Sequence, residues 1–145
     1  MAANTCESLV IHCSDWRLEQ GLGTWLKQAG LEQASFDRLA INGGIKQLVS
    51  PDSSGERDSF LKQIEASLTQ HQPNNVIIVS HEDCGAYGGG GRFLNAATEQ
   101  KFHASELARA AELLRAHHPG LAVALYYANL EEDDDEWKVD VQSIG

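Results

Sequence analysis

The chain has 145 residues, 42% of them apolar, and carries 21 acidic against 11 basic side chains for a net charge of −10. That length suits one compact domain whose core needs no disulfide staples, and the acidic balance speaks against a nucleic-acid partner, whose phosphates it would repel. No apolar run approaches the ~20 residues of a membrane helix. Residues 1–7 lack the basic and apolar regions of a secretory signal, so a cytoplasmic location is the expectation.

Residues 8–12 read as a short buried strand, with Leu9, Val10 and Ile11 in a row. The segment 18–29 follows, with Leu18, Leu22, Trp25, Leu26 and Ala29 at helical spacing and Gly30 as its stop. Gly21 and Gly23 weaken its first half. Residues 36–41 form a second strand that ends in Asn42, Gly43 and Gly44, and 50–55 is a turn-rich loop. A helix over 56–71 shows Phe60, Leu61, Ile64 and Leu68 on one face and stops before Pro73. A third strand spans 76–79, a glycine-heavy loop 82–93, and a helix 98–117 with Leu107, Ala110, Ala111 and Leu114 facing inward. Strands over 121–127 and 137–141 close the chain, joined by the acidic run 131–136 as a solvated turn.

Alternating strands and helices argue an α/β domain with a mainly parallel sheet, order 2-1-3-4, flanked by helices and carrying a C-terminal antiparallel strand. One domain over 1–145 is expected, with no internal repeat. Ligands of such sheets bind beyond the carboxyl ends of the strands, where the strand order reverses. Cys13 leaves the end of the first strand and His81 the end of the third. In this order those strands are neighbours, so the two segments meet at the expected site.

The first segment is Cys13-Ser14-Asp15-Trp16-Arg17 and the second His81-Glu82-Asp83-Cys84-Gly85. Two thiolates and an imidazole suit Zn2+, which favours four ligands in a tetrahedron. Three protein ligands leave a fourth position open, as in catalytic sites, where bound water loses a proton more easily. Asp15 has two options: it closes the site on the metal, or it pairs with Arg17 two residues on and leaves the site open. The bland alternatives are two buried apolar cysteines, a hydrogen-bonded histidine and a surface ion pair worth little. Cys6 has no polar partner nearby in sequence and reads as a plain thiol.

Cys-x-Asp-x-Arg followed much later by His-x-x-Cys resembles the signature of the β-class carbonic anhydrases, matched here by Cys13, Asp15, Arg17, His81 and Cys84. The stretch His81-Glu82-Asp83-Cys84-Gly85 is also similar to the His-x-Asp-Cys-Gly form of the smaller members. The resemblance in the order of elements runs from residue 8 to about 141. It implies that Cys13, His81 and Cys84 bind zinc and that Asp15 and Arg17 form a dyad beside it. It also implies hydration of carbon dioxide to bicarbonate through zinc-bound hydroxide, and a homodimer or larger homo-oligomer with pockets lined from both subunits. Relatives on the same scaffold hydrolyse carbonyl sulfide or carbon disulfide.

The chain departs from the pattern after the second strand, where Ala40-Ile41-Asn42-Gly43-Gly44 stands in place of the family's Arg-Asn-Ala-Gly-Gly. Seven residues precede the first strand here, where the family has a long N-terminal helical arm. Gly43 and Gly44 read first as a tight turn. Beneath a metal, their N–H groups would suit an anion such as bicarbonate. The alternatives to carbon dioxide hydration are a sulfur-analogue hydrolase on the same site and a non-catalytic zinc- or anion-binding protein. Thiol redox chemistry is disfavoured because no Cys-x-x-Cys pair is present.

Overall fold

The computed structural model describes residues 4–30 and 35–145. Five strands, β1 (Ser8–Cys13), β2 (Phe36–Ile41), β3 (Asn75–His81), β4 (Ala122–Asp133) and β5 (Glu136–Ser143), lie in the order β2-β1-β3-β4-β5. The pairs β1/β2, β1/β3 and β3/β4 are parallel, and β4/β5 is antiparallel. This is the expected sheet. All six residues of β1 and six of the seven of β3 are buried, because helices cover both faces. Strands buried on both faces read as near-continuous apolar runs.

Leu9, Ile11, Val76 and Ile78 face one layer and pack with Phe60, Ile64, Leu107 and Leu114. Val10, Ile77 and Val79 face the other and pack with Leu18, Leu22 and Leu26. This is the period-2 alternation of a strand meeting the 3.6 period of the helices. Each of those three leucines is 3% exposed or less, so each contributes about 2–3 kcal/mol of burial.

The helices are α1 (Trp16–Gln28), α2 (Lys46–Val49), α3 (Ser54–Gln70) and α4 (Ala96–His117). Three of them start earlier than periodicity predicts, and each time the reason is a cap. Asp15 accepts the Arg17 N–H at 2.9 Å, Ser53 accepts that of Glu56 at 3.2 Å, and Asn95 accepts that of Thr98 at 2.8 Å. Caps satisfy donors that the first helical turn leaves free, whatever the apolar pattern. The four-residue α2 was not expected, since one turn is too short to show a period. The glycine-heavy loop contains two short 3-10 turns, Gly85–Tyr87 and Gly90–Arg92.

Strands β4 and β5 run further than the predicted segments. Their tip is a two-residue turn at Asp134 and Asp135, with φ of 49° and 64°. A tight hairpin needs positive φ there, and aspartate tolerates it better than most residues. Among the described residues no helix is long and apolar enough to cross a membrane.

Candidate metal centre

Strands β1 and β3 pair in parallel register, His12 beside Val79. Cys13 and His81 close these two strands at the same edge of the sheet, where the order reverses. Cys84 follows after a turn in which Asp83 has φ 55°. The ligand atoms of Cys13, His81 and Cys84 all lie within 4.8 Å of one another, and the residues are 5%, 1% and 3% exposed. The two sulfurs are 4.0 Å apart. Tetrahedral zinc with bonds of about 2.3 Å would set them about 3.8 Å apart.

The histidine is oriented for a ligand. Its Nδ1 lies 2.7 Å from the Glu82 carbonyl, which can only accept, so Nδ1 carries the proton. Nε2 faces the cysteines, buried and without a hydrogen-bond partner. An orphaned buried nitrogen of this kind is costly unless something binds it. A backbone carbonyl behind the far nitrogen is the usual support of a metal-binding imidazole.

In the protein alone the three groups share protons unequally. The Cys84 thiol donates toward the Cys13 sulfur, and this bond outweighs burial. With help from His81 and the Gly43 N–H, it brings the Cys13 thiol down. The same bond, together with burial, pushes the Cys84 thiol up. Burial pulls His81 down, but the neighbouring Cys13 thiolate raises it more. The pocket therefore already favours one thiolate, and a divalent cation would favour the second.

Asp15 and Arg17 meet beside this cluster. Arg17 Nε donates to Asp15 Oδ1 at 3.1 Å and its Nη2 to Oδ2 at 2.7 Å. Of the two options for Asp15, the structure shows the pairing with Arg17. Asp15 is the N-cap of α1 and Arg17 lies in its first turn, so a helix start sets the approach. Arg17 holds the Asp15 carboxyl below the usual carboxylate range against the opposing effect of burial. Asp15 Oδ2 lies 4.0 Å from His81 Nε2, at the rim of the ligand cluster. The Trp137 ring lies 5.1 Å from the Arg17 guanidinium carbon, so β5 packs on the arginine of the dyad.

Gly43 and Gly44 lie under the cluster, with both N–H groups engaged inside the protein. Gly43 donates to the Cys13 sulfur at 3.3 Å and Gly44 to the Ile41 carbonyl at 2.9 Å. Gly44 has φ 54°, and a Cβ there would sit 3.1 Å from the Cys13 backbone nitrogen. Its glycine identity thus follows from close approach to the ligand strand.

Three residues of this neighbourhood escaped sequence reasoning. Asp83 takes the other side of Arg17, accepting Nη1 at 2.9 Å on Oδ2 and Nη2 at 3.0 Å on its carbonyl. Its Oδ1 accepts the Gly90 N–H at 2.7 Å. Glu99, 5% exposed on α4, accepts the Asp83 N–H at 2.6 Å and fixes the turn between His81 and Cys84. His103 stands 1% exposed among Tyr87, Phe93, Phe102 and Tyr127, and burial lowers its pKa to about 4. The only available signal was that Glu99, His103 and Glu106 recur at helical spacing on α4, the face that also carries its apolar residues.

An uncharacterized protein of Rickettsia conorii is 26% identical over 131 residues, covering 88% of this chain and 70% of its own length. An uncharacterized protein of Rickettsia bellii is 27% identical over 131 residues, covering 88% of this chain and 79% of its own. A family model described as "Putative carbonic anhydrase" matches residues 3–142. With nearly the whole chain matched, and with a Cys-His-Cys cluster beside an Asp-Arg pair at the switch point of the sheet, the protein belongs to that carbonic-anhydrase family.

Proposed function

We propose that the protein is a zinc-dependent carbonic anhydrase that hydrates carbon dioxide to bicarbonate and a proton. Cys13, His81 and Cys84 hold the metal, and Asp15 and Arg17 serve the open side of the site. The observation that carries this reading is the buried, unpartnered Nε2 of His81 facing two cysteine sulfurs, with the nearest carboxylate held by an arginine. Zinc in this position supplies a Lewis acid that makes water acidic enough to yield a nucleophile near neutral pH.

The protein's own groups do the rest. Two thiolates balance the charge of a divalent ion, and the Glu82 carbonyl keeps the imidazole in one tautomer. Asp15, ionised by its contact with Arg17, is an acceptor-only group at the mouth of the cluster. It orients the attacking water by taking one hydrogen bond from it. Arg17 keeps Asp15 turned away from the ligand atoms, and Asp83 keeps Arg17 in place. Burial of the ligands strengthens each of these electrostatic contacts.

Stopped-flow measurement of carbon dioxide hydration on zinc-loaded protein tests the reading, with carbonyl sulfide assayed in parallel. Ala40-Ile41 stands where the wider family has the polar Arg-Asn pair, which makes the substrate comparison informative. Absence of turnover with either substrate at full zinc loading would leave a metal-binding protein without this activity. We further propose a homodimer, which light scattering at micromolar concentration tests.

A further inference from the structure

At the opposite edge of the sheet a second set of ligand-type side chains converges. Cys6 precedes β1, Asp37 sits near the start of β2, and His71 is the C-cap of α3. One ligand atom from each lies within 4.8 Å of the others, and all three residues are partly exposed.

The set is held by backbone bonds, not by chance side-chain contact. The Cys6 N–H donates to the His71 carbonyl at 2.9 Å, the Glu7 N–H to the Ser35 carbonyl at 3.0 Å, and the Asn74 N–H to the Glu7 carbonyl at 2.9 Å. Leu9 pairs with Asp37 in the sheet, which fixes β2 against β1. Asp37 Oδ2 lies 2.7 Å from His71 Nδ1 and accepts the Ser67 hydroxyl at 2.7 Å. Ser67 and His71 are one helical turn apart on α3, so both aim at the same carboxylate.

We propose that Cys6, Asp37 and His71 form a second metal site, which takes a borderline divalent cation of the zinc class. The charge count supports that class. A thiolate, a carboxylate and a neutral imidazole balance a divalent ion, as two thiolates and an imidazole do at the first cluster. One sulfur is too few for a monovalent soft ion, and a thiolate and an imidazole are poor ligands for calcium or magnesium, which take oxygen donors. Partial exposure leaves room for water as the fourth ligand. The site is independent of the reading given above, because it shares no residue with the first cluster.

The test is cobalt titration of metal-free protein, following sulfur-to-cobalt charge-transfer absorbance, with elemental analysis after zinc dialysis. Two equivalents per chain are expected. Cys6→Ser and His71→Ala should each bind the second equivalent at least about 100-fold more weakly, since even loss of a group that merely supports a ligand costs 10–100-fold. Cys13→Ser should lose the first equivalent and keep the second, which separates failure of one site from failure of the other. A measurement without variants guards against misfolding: saturating zinc should protect Cys6 from alkylation, read by mass spectrometry of its peptide. One equivalent in the wild type, with Cys6 alkylated at an unchanged rate in saturating zinc, overturns the proposal.

Discussion

Two glycines on α1, two residues apart, should respond to alanine in opposite directions. Gly→Ala in a helix interior ordinarily stabilises by up to about 1 kcal/mol, through lower backbone entropy in the unfolded chain. Gly23 has open space where a Cβ would go, with nothing within 4 Å, so Gly23→Ala should keep that gain. At Gly21 a Cβ would fall 2.3 Å from Val139 Cγ2, 2.4 Å from Val139 Cβ and 3.1 Å from its nitrogen. No rotamer of Val139 relieves a clash with its own Cβ, so β5 must move away by more than about 1 Å. Overpacking of this sort costs about 1–3 kcal/mol, and the backbone involvement places this case at the upper end. The net effect is a loss of about 2 kcal/mol against a gain of about 1. At about 3 °C per kcal/mol for a chain of this size, the two variants should differ in Tm by about 9 °C, on either side of wild type. Thermal unfolding followed by circular dichroism measures this directly. A Gly21→Ala protein as stable as Gly23→Ala would refute the close packing of α1 on β5. The contact also matters to the site, since α1 carries Arg17 behind its Asp15 cap and β5 carries the Trp137 that packs on Arg17.

Purified protein should hold about one zinc at the first cluster, and Cys84→Ala should lose most of it; full retention in elemental analysis would contradict the ligand set. Arg17→Ala frees Asp15 to turn toward the ligand atoms, so activity should fall on the order of 100-fold, most at the acid end, with zinc content unchanged. Loss of zinc along with activity would instead mark Arg17 as structural. For His103 the folded pKa, about 4, lies below the ordinary 6.5, so between these values the unfolded chain binds a proton that the folded chain refuses. Stability should therefore fall as pH drops from 6.5 to 4, by up to about 3 kcal/mol. His103→Phe should flatten that slope in urea unfolding series; an unchanged slope would exclude His103 as its source. The carboxylates Asp15 and Asp83, both held below 3.8, lose their contribution at lower pH still, which separates the two effects.

The first cluster was legible because its residue types are rare at strand ends and because the α/β order brings those ends together. Leu9-Val10-Ile11 and Val76 to Val79 read as strands because helices cover both sides of them. Asp15 was legible as a partner of Arg17 but not as a cap, because the apolar period of the helix that follows begins only at Leu18. Glu99 was not legible as a support of the site. It shares the apolar face of α4 but lies 16 residues from Asp83, and only the tertiary fold brings it to the Asp83 N–H. The same holds for Cys6. Near it in sequence its thiol finds only the Ser8 carbonyl, at 3.5 Å, while His71 and Asp37 arrive from 65 and 31 residues away along the chain, through the register of β1 on β2 and the end of α3. Pattern reading finds groups that are local or that obey a motif. It does not find pairs made only by the docking of separate elements.

One carboxylate, Asp15, caps α1, binds Arg17 and stands at the mouth of the ligand cluster. These roles constrain one another. Turning Asp15 toward His81 forfeits the cap, worth about 1 kcal/mol, and two bonds to a guanidinium, each worth about 1.5–3 kcal/mol. An arginine left unpaired in a half-buried place would raise that cost further. Asp83 removes this last part, because it binds Arg17 through both its carboxylate and its carbonyl whether or not Asp15 stays. These costs favour Asp15 on Arg17, where both of its carboxylate oxygens accept from the guanidinium. Two acceptors around one guanidinium make Asp15 releasable without leaving a charge stranded, and because Asp83 stands next to Cys84, the same turn that supplies a ligand also sets how firmly Asp15 is held.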